Sequence, residues 1–219
     1  MAISDAFSHI KLGYADYMIA GAGDHTLDPN ILTALNKIGY LNAESNGAPE
    51  LACRPFDRAA KGYVMGDGSG MLILEDYEHA KARGAEIYCE LKGVSLAADG
   101  RFLTKPEETG KGLKRAIQDV MRKGEVSEID LIASNGSSNA YEDRAELTAI
   151  SSVFSGYTPW ITALKSQLGH TYHASTILES VFAIKALQEG QIPGIRNLDE
   201  EAVAQKDKRR YKFVKEGQD

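Results

Sequence analysis

With 219 residues, of which 43% are hydrophobic and 26% charged, the chain has the composition of a folded globular protein long enough to bury a sizeable core, and neither disorder nor a fibrous repeat fits it. The 31 Asp and Glu exceed the 25 Lys and Arg and leave a formal charge of -6, without the basic excess that binding nucleic acid or an anionic membrane demands. No apolar run approaches the roughly 20 residues of a bilayer-spanning helix, and MAISDAFSHIKLG carries an acid where a signal peptide would be apolar. Cys53 and Cys89 belong to no CxxC or Cys/His cluster. A cytoplasmic protein without a disulfide framework or a zinc site is expected.

Along the chain, apolar periods near 3.6 and near 2 alternate, as in a layered α/β fold. Ile3, Phe7 and Ile10 share a helical face, and DYMIAG then reads as a short buried strand. Asp28 before Pro29 starts a short helix that Gly39 stops. Residues 41–55 carry no period and are expected as an ordered surface loop. YVMGDGSGMLILE predicts two strand segments joined through glycines, DYEHAKARG a short helix, and EIYCELKGVSLAAD another strand. Leu113, Ala116, Ile117, Val120 and Met121 mark a helix ending at Gly124, followed by the strand IDLIAS. Leu147, Ile150 and Phe154 form the next helical stripe, WITAL a strand, and Ile177, Val181, Ile184 and Leu187 a last stripe before Gly190 and Pro193. AQKDKRRYKFV places a basic run on a solvated turn before one final strand.

Two segments suggest chemistry. GDGSG, Gly66 to Gly70, resembles a phosphate cradle in composition only: it joins strand to strand rather than strand to helix and lacks a P-loop lysine, so its glycines serve close backbone packing. In ALKSQLGHTYHAST, Lys165 and His170 lie between a strand and the start of a helix. A lysine charge near an imidazole depresses its pKa and keeps a neutral ring, able to exchange a proton or stabilise an oxyanion. No carboxylate or Cys stands at ligand spacing from His170 and His173, so no metal is expected there.

The run RPFDRAAKGYVMGDGSGMLILEDYEHAKARGA, Arg54 to Ala85, resembles the signature of β-ketoacyl-acyl-carrier-protein synthases, most closely synthase II. KSQLGH is similar to that family's Lys-Ser-x-x-Gly-His motif, and Ile195, Arg196, Asn197, Leu198 and Asp199 to its Ile-Asn-Leu-Asp. The resemblance spans essentially the whole chain. It implies a thiolase-like layered α-β-α-β-α fold, here incomplete: 1–219 would form one ketosynthase-like domain comprising the end of the first half and most of the second. The implied activity is decarboxylative Claisen condensation of malonyl-carrier protein with an acyl thioester, in fatty acid or polyketide biosynthesis. The protein would hold no cofactor of its own, because phosphopantetheine arrives on the acyl carrier protein.

The resemblance assigns His170 as the second catalytic histidine, Lys165 as the lysine beside it and Glu179 as the acid that holds the lysine. The first histidine should open a His-Gly-Thr-Ser-Thr-Pro-x-Gly-Asp-x-x-Glu segment, for which this chain has NGSSNAYEDRAE. Gly136, Ser138, Asp143 and Glu146 match; Asn135 replaces the histidine, and Ser137 and Asn139, on the substrate side, replace threonines. An Asn amide donates a hydrogen bond but takes up no proton. Tyr172, His173 and Thr176 crowd a turn where the family has small residues and glycine. Both cysteines are expected as buried packing residues, since neither aligns with the family's nucleophile. The nucleophile-bearing N-terminal half and the closing Gly-Phe-Gly-Gly hairpin are expected to lie outside this sequence. The implied partners are an acyl carrier protein and either a second copy, an active ketosynthase or a complementary N-terminal half, paired through Asp16 to Ala20. The loop Leu41 to Leu51, with Glu44 and Glu50 and no Lys or Arg, is expected to repel an acidic carrier helix. A non-catalytic partner like the chain-length factors, or a degenerate remnant, is the alternative.

Overall fold

A computed structural model describes residues 1–101, 105–202 and 211–217. The basic run expected on the turn at 204–210 lies outside the described residues. The first half folds as helix α1 (Ala2–Lys11), strand β1 (Tyr17–Asp24), helix α2 (Pro29–Lys37), strand β2 (Gly68–Glu75) and helix α3 (Tyr77–Ala82). As expected from the Asp-Pro pair, Asp28 caps α2, its carboxylate accepting from the amides of Asn30 and Ile31 at 2.8 and 3.4 Å. β1 and β2 form an antiparallel pair in which Ile19 faces Ile73. The second half contains α4 (Lys111–Lys123), β3 (Leu131–Ala133), α5 (Ala140–Val153), β4 (Trp160–Thr162), α6 (Lys165–Leu168), α7 (Ser175–Glu189) and β5 (Lys212–Phe213). β3, β4 and β5 form a parallel sheet in that order.

The core centres on this parallel sheet: Leu147, Ile150 and Phe154 of the α5 segment close on Ile161, Ala163, Phe213, Ile195, Leu198 and Phe56. Helix α7 touches β2 and β3 and so joins the two sheets. It lies on β2 through the even-numbered positions, where Gly68 and Gly70 leave room for Leu178 and Ile177. The odd-numbered positions Tyr17, Ile19, Met71 and Ile73 are more than half exposed and form an apolar face.

Three expectations need correction. DYMIAG is a strand but not a buried one, because Tyr17 and Ile19 point outward. EIYCELKGVSLAAD forms no strand among the described residues: Ile87, Tyr88, Leu91 and Leu96 are exposed, and an apolar run becomes a strand only when a neighbour accepts its backbone hydrogen bonds. In YVMGDGSGMLILE only Gly68–Glu75 is a full strand; Tyr63 and Met65 make isolated bridges to Leu41 and His170.

The Met65 bridge sets the position of the loop after α6. Gly66 lies so close to it that an added Cβ would stand 2.7 Å from the Leu168 carbonyl oxygen, a backbone atom that cannot turn away. The glycine-rich stretch therefore serves close packing. Gly66→Ala is expected to destabilise the fold by about 2 kcal/mol through overpacking. Gly47→Ala, which meets nothing within 4 Å, is the neutral control; urea midpoints of the two variants check this.

Candidate active site

Lys165 is only 2% exposed. It sits on the first turn of α6, directly after the strand that carries Ile161 and Thr162, so its side chain points inward beneath the end of the parallel sheet. A buried ammonium must have every donor met. Nζ donates to the Asn135 backbone carbonyl at 2.7 Å, to the Asn135 amide oxygen at 3.0 Å and to Glu179 of α7 at 2.5 Å. Three segments far apart in sequence thus converge on one charge. Because Oδ1 of Asn135 accepts from the lysine, the amide NH2 is the half left to face the site, and Asn135 itself is exposed.

His170 is held by its backbone, its amide donating to the Val64 carbonyl at 2.7 Å and its carbonyl accepting from Gly66 at 3.1 Å. Its ring lies 4.6 Å from the Tyr63 ring, centroid to centroid. Burial first, and the Lys165 charge second, push its pKa from the ordinary 6.5 down to about 4. The lysine expected to depress this histidine does so, but dehydration is the larger cause. The Tyr172 amide donates to Nδ1 at 3.1 Å, so the neutral ring carries its proton on Nε2 and is a donor there.

The segment from Asn135 to Glu146 is tied back to itself. Glu146, half-buried, accepts from the amides of Asn135 and Gly136 at 2.7 and 2.9 Å. Asp143 accepts from Ser137 and from Phe56 at 2.9 and 2.8 Å, and burial raises its pKa to about 7. Ser137 and Asn139 are buried; the Asn139 side chain caps α5 by accepting from the Tyr141 amide at 3.1 Å. Of the residues assigned from the sequence, the structure brings Asn135, Lys165 and Glu179 into direct contact and sets His170 within reach of the lysine's field. Ser137 and Asn139 have internal partners.

Similarity to known proteins fits this arrangement. A family model described as "Beta-ketoacyl synthase, C-terminal domain" matches residues 88–199, and "Beta-ketoacyl synthase, N-terminal domain" matches residues 1–80. The chain belongs to the β-ketoacyl synthase family. It is 35% identical to the mitochondrial 3-oxoacyl-[acyl-carrier-protein] synthase of Arabidopsis thaliana, over 90% of this chain and 44% of the relative. With 3-oxoacyl-[acyl-carrier-protein] synthase 1 of Escherichia coli it shares 35% identity over 91% of this chain and 49% of the relative. The chain therefore spans about half the length of these curated relatives. Among solved structures, a type II polyketide acyl-carrier protein in complex with its ketosynthase bound to the hexaketide matches with a TM-score of 0.92 and 30% identity, over 98% of this chain and 52% of that one. A β-ketoacyl synthase from Burkholderia phymatum matches with 0.89 and 31%, over 98% and 51%. The two sheets and the helix between them are thus part of the thiolase-like layered fold.

The ketosynthase motifs acquire physical roles in this frame. In RPFD, Arg54 bonds Asp57 and Asp199, and Asp57 accepts from the amides of Asp199 and Glu200, clasping the motif to residues 197–200. Cys53 is buried as expected: its thiol donates to the Lys165 carbonyl at 3.0 Å, and burial pushes its pKa up to about 12. Cys89 is exposed, contrary to expectation, because its segment finds no strand partner among the described residues. The loop expected to repel an acidic helix is less acidic in effect, since Lys61 pairs with Glu44 at 2.7 Å. Sequence reading missed Tyr63, which packs against the His170 ring and donates to Glu142, and Asp24, which holds His173. Neither stands in a motif that names its partner.

Two outcomes are expected. The His170 imidazole titrates near pH 4 by NMR, and because the unfolded chain binds more protons between about 4 and 6.5, its contribution to stability is lost as pH falls through that window. Lys165→Met raises the midpoint without restoring 6.5, burial being the larger cause. It also destabilises the fold by roughly 3 kcal/mol, leaving the half-buried Glu179 without its cation; urea unfolding checks the loss.

Proposed function

We propose that the chain is the histidine- and lysine-bearing component of a β-ketoacyl-acyl-carrier-protein synthase-type condensing enzyme of fatty acid or polyketide biosynthesis. The observations that carry this reading are a His170 whose Nδ1 accepts the Tyr172 amide, leaving the ring proton on Nε2, and an Asn135 whose amide oxygen is held by Lys165. In the reaction a malonyl thioester loses CO2, and the released electron pair forms an enolate whose carbon attacks an acyl thioester and expels its thiolate. His170 Nε2–H and Asn135 Nδ2–H would donate to the enolate oxygen as its charge develops. Substrates would arrive as phosphopantetheine thioesters on an acyl carrier protein, as the complex of one similar ketosynthase suggests.

The nucleophilic cysteine is proposed to come from a complementary ketosynthase half or a partner ketosynthase. Cys53 is hydrogen-bonded and its thiol is held far above neutrality, whereas Cys89 lies on an exposed segment lacking a base to activate it among the described residues. The exposed apolar face of Tyr17, Ile19, Met71 and Ile73 supports such a covering partner.

An assay of β-ketoacyl product tests this. The chain alone is expected to give none; with a complementary half or ketosynthase it gives turnover that His170→Ala lowers at least 100-fold, the scale of a lost oxyanion donor. Turnover by the chain alone with an acyl adduct on Cys53 or Cys89 overturns the proposal. Turnover with the partner that His170→Ala leaves unchanged assigns the non-catalytic chain-length-factor role instead. Such a factor accompanies the ketosynthase in another similar structure, at a TM-score of 0.83. Light scattering at micromolar concentration is expected to show a dimer or heterodimer through β1, with its strand amides protected from exchange; a monomer with freely exchanging β1 amides excludes that surface.

A further inference from the structure

The loop from His170 to His173 is fastened at both ends. Upstream, the His170 backbone bonds Val64 and Gly66, and the buried Thr171 hydroxyl meets Ser175 at 3.1 Å. Downstream, one carboxylate oxygen of Asp24 accepts both the backbone amide of His173, at 3.0 Å, and its ring Nδ1, at 2.5 Å. Tyr172 joins these anchors with φ +50°, a conformation that a bulky side chain adopts only where its surroundings compel it. In that conformation its amide faces Nδ1 of His170, and its ring packs between His170 and His173, with centroids 5.7 and 4.9 Å away. Asp24 is the last residue of β1, paired with Gly68, so the clamp is anchored to the sheet. Its carboxyl is held below the usual range: burial acts to raise it, but the His173 backbone and side-chain hydrogen bonds outweigh that effect.

We propose that Asp24 is a positioning residue for His170: by clamping His173 it holds Tyr172 at positive φ, which aims the Tyr172 amide at Nδ1 and keeps the His170 proton on Nε2. The inference deepens the proposed function, in which His170 acts as an Nε2–H donor. Without the clamp Tyr172 relaxes to negative φ, its peptide plane turns away, and Nδ1 is free to carry the proton. The clamp compensates for a tyrosine at a position whose backbone suits glycine.

The test is the 15N spectrum of the histidine rings in the full chain at neutral pH, which reports the tautomer without turnover. The wild-type His170 is expected to show an unprotonated Nδ1. Asp24→Ala is expected to shift the tautomer ratio toward Nδ1–H by roughly fivefold, the scale of one hydrogen bond. Adding Tyr172→Gly to Asp24→Ala should recover most of the wild-type ratio, because glycine takes positive φ without help. Should Asp24→Ala fail to fold, Asp24→Asn, whose amide oxygen still accepts, gives an intermediate ratio. A wild-type ratio in the folded Asp24 variant, or no recovery on adding Tyr172→Gly, overturns the clamp. Absence of condensing activity with an intact wild-type tautomer and an Asp24-dependent ratio would instead overturn the proposed function.

Discussion

A single ammonium group, buried to within 2% of complete exclusion from solvent, organises the site. Removing a charge from water costs several kcal/mol unless it is surrounded by acceptors. Lys165 meets that demand by drawing together the loop after β3, its own turn after β4, and Glu179 on α7. Those contacts have chemical consequences. The lysine captures Oδ1 of Asn135 and so decides which end of the amide faces the site, and its field adds to dehydration in keeping His170 neutral. One buried charge therefore sets the character of both neighbouring polar groups.

The acids around this centre have structural work of their own. Glu146 and Asp143 stand one helical turn apart at the start of α5 and accept backbone amides of the loop that carries Asn135. Asp143 also reaches Phe56, and the RPFD segment that contains Phe56 is clasped to residues 197–200 through Asp57. Carboxylates in such positions order loops by meeting amide groups that would otherwise be buried without partners. The result is one continuous polar scaffold beneath the site, linking segments as much as 145 positions apart.

Away from the site the fold is open. Helix α7 has half-buried apolar residues around most of its surface, and the outer side of the β1–β2 pair presents large hydrophobic side chains to solvent. Faces of this size and character call for a covering surface, and the layered fold of the family supplies a reason for them. The interior around Phe56, Ile150 and Ile161 is fully closed, so the parallel sheet has a complete core, to which Phe56 of the first half contributes, even where the β1–β2 pair remains uncovered.

Much of this was legible from local pattern. The Asp28-Pro29 cap, the apolar stripes of α4, α5 and α7, and the short runs that became β3 and β4 are written in neighbouring residues, because capping and periodicity act over one or two turns. The motifs also named Lys165, His170, Glu179 and the replacement at Asn135. Pairing decided the rest. EIYCELKGVSLAAD has the composition of a strand and no partner among the described residues, while DYMIAG became a strand with one bare face. Asp24, Tyr63 and Glu142 entered the surroundings of His170 through contacts between residues as much as 149 positions apart. Sequence by itself determined which groups could carry charge or donate a hydrogen bond; only the tertiary structure decided which amide end, which ring nitrogen and which carboxylate face the site, because burial and long-range hydrogen bonding set those choices and neither exists until the segments meet.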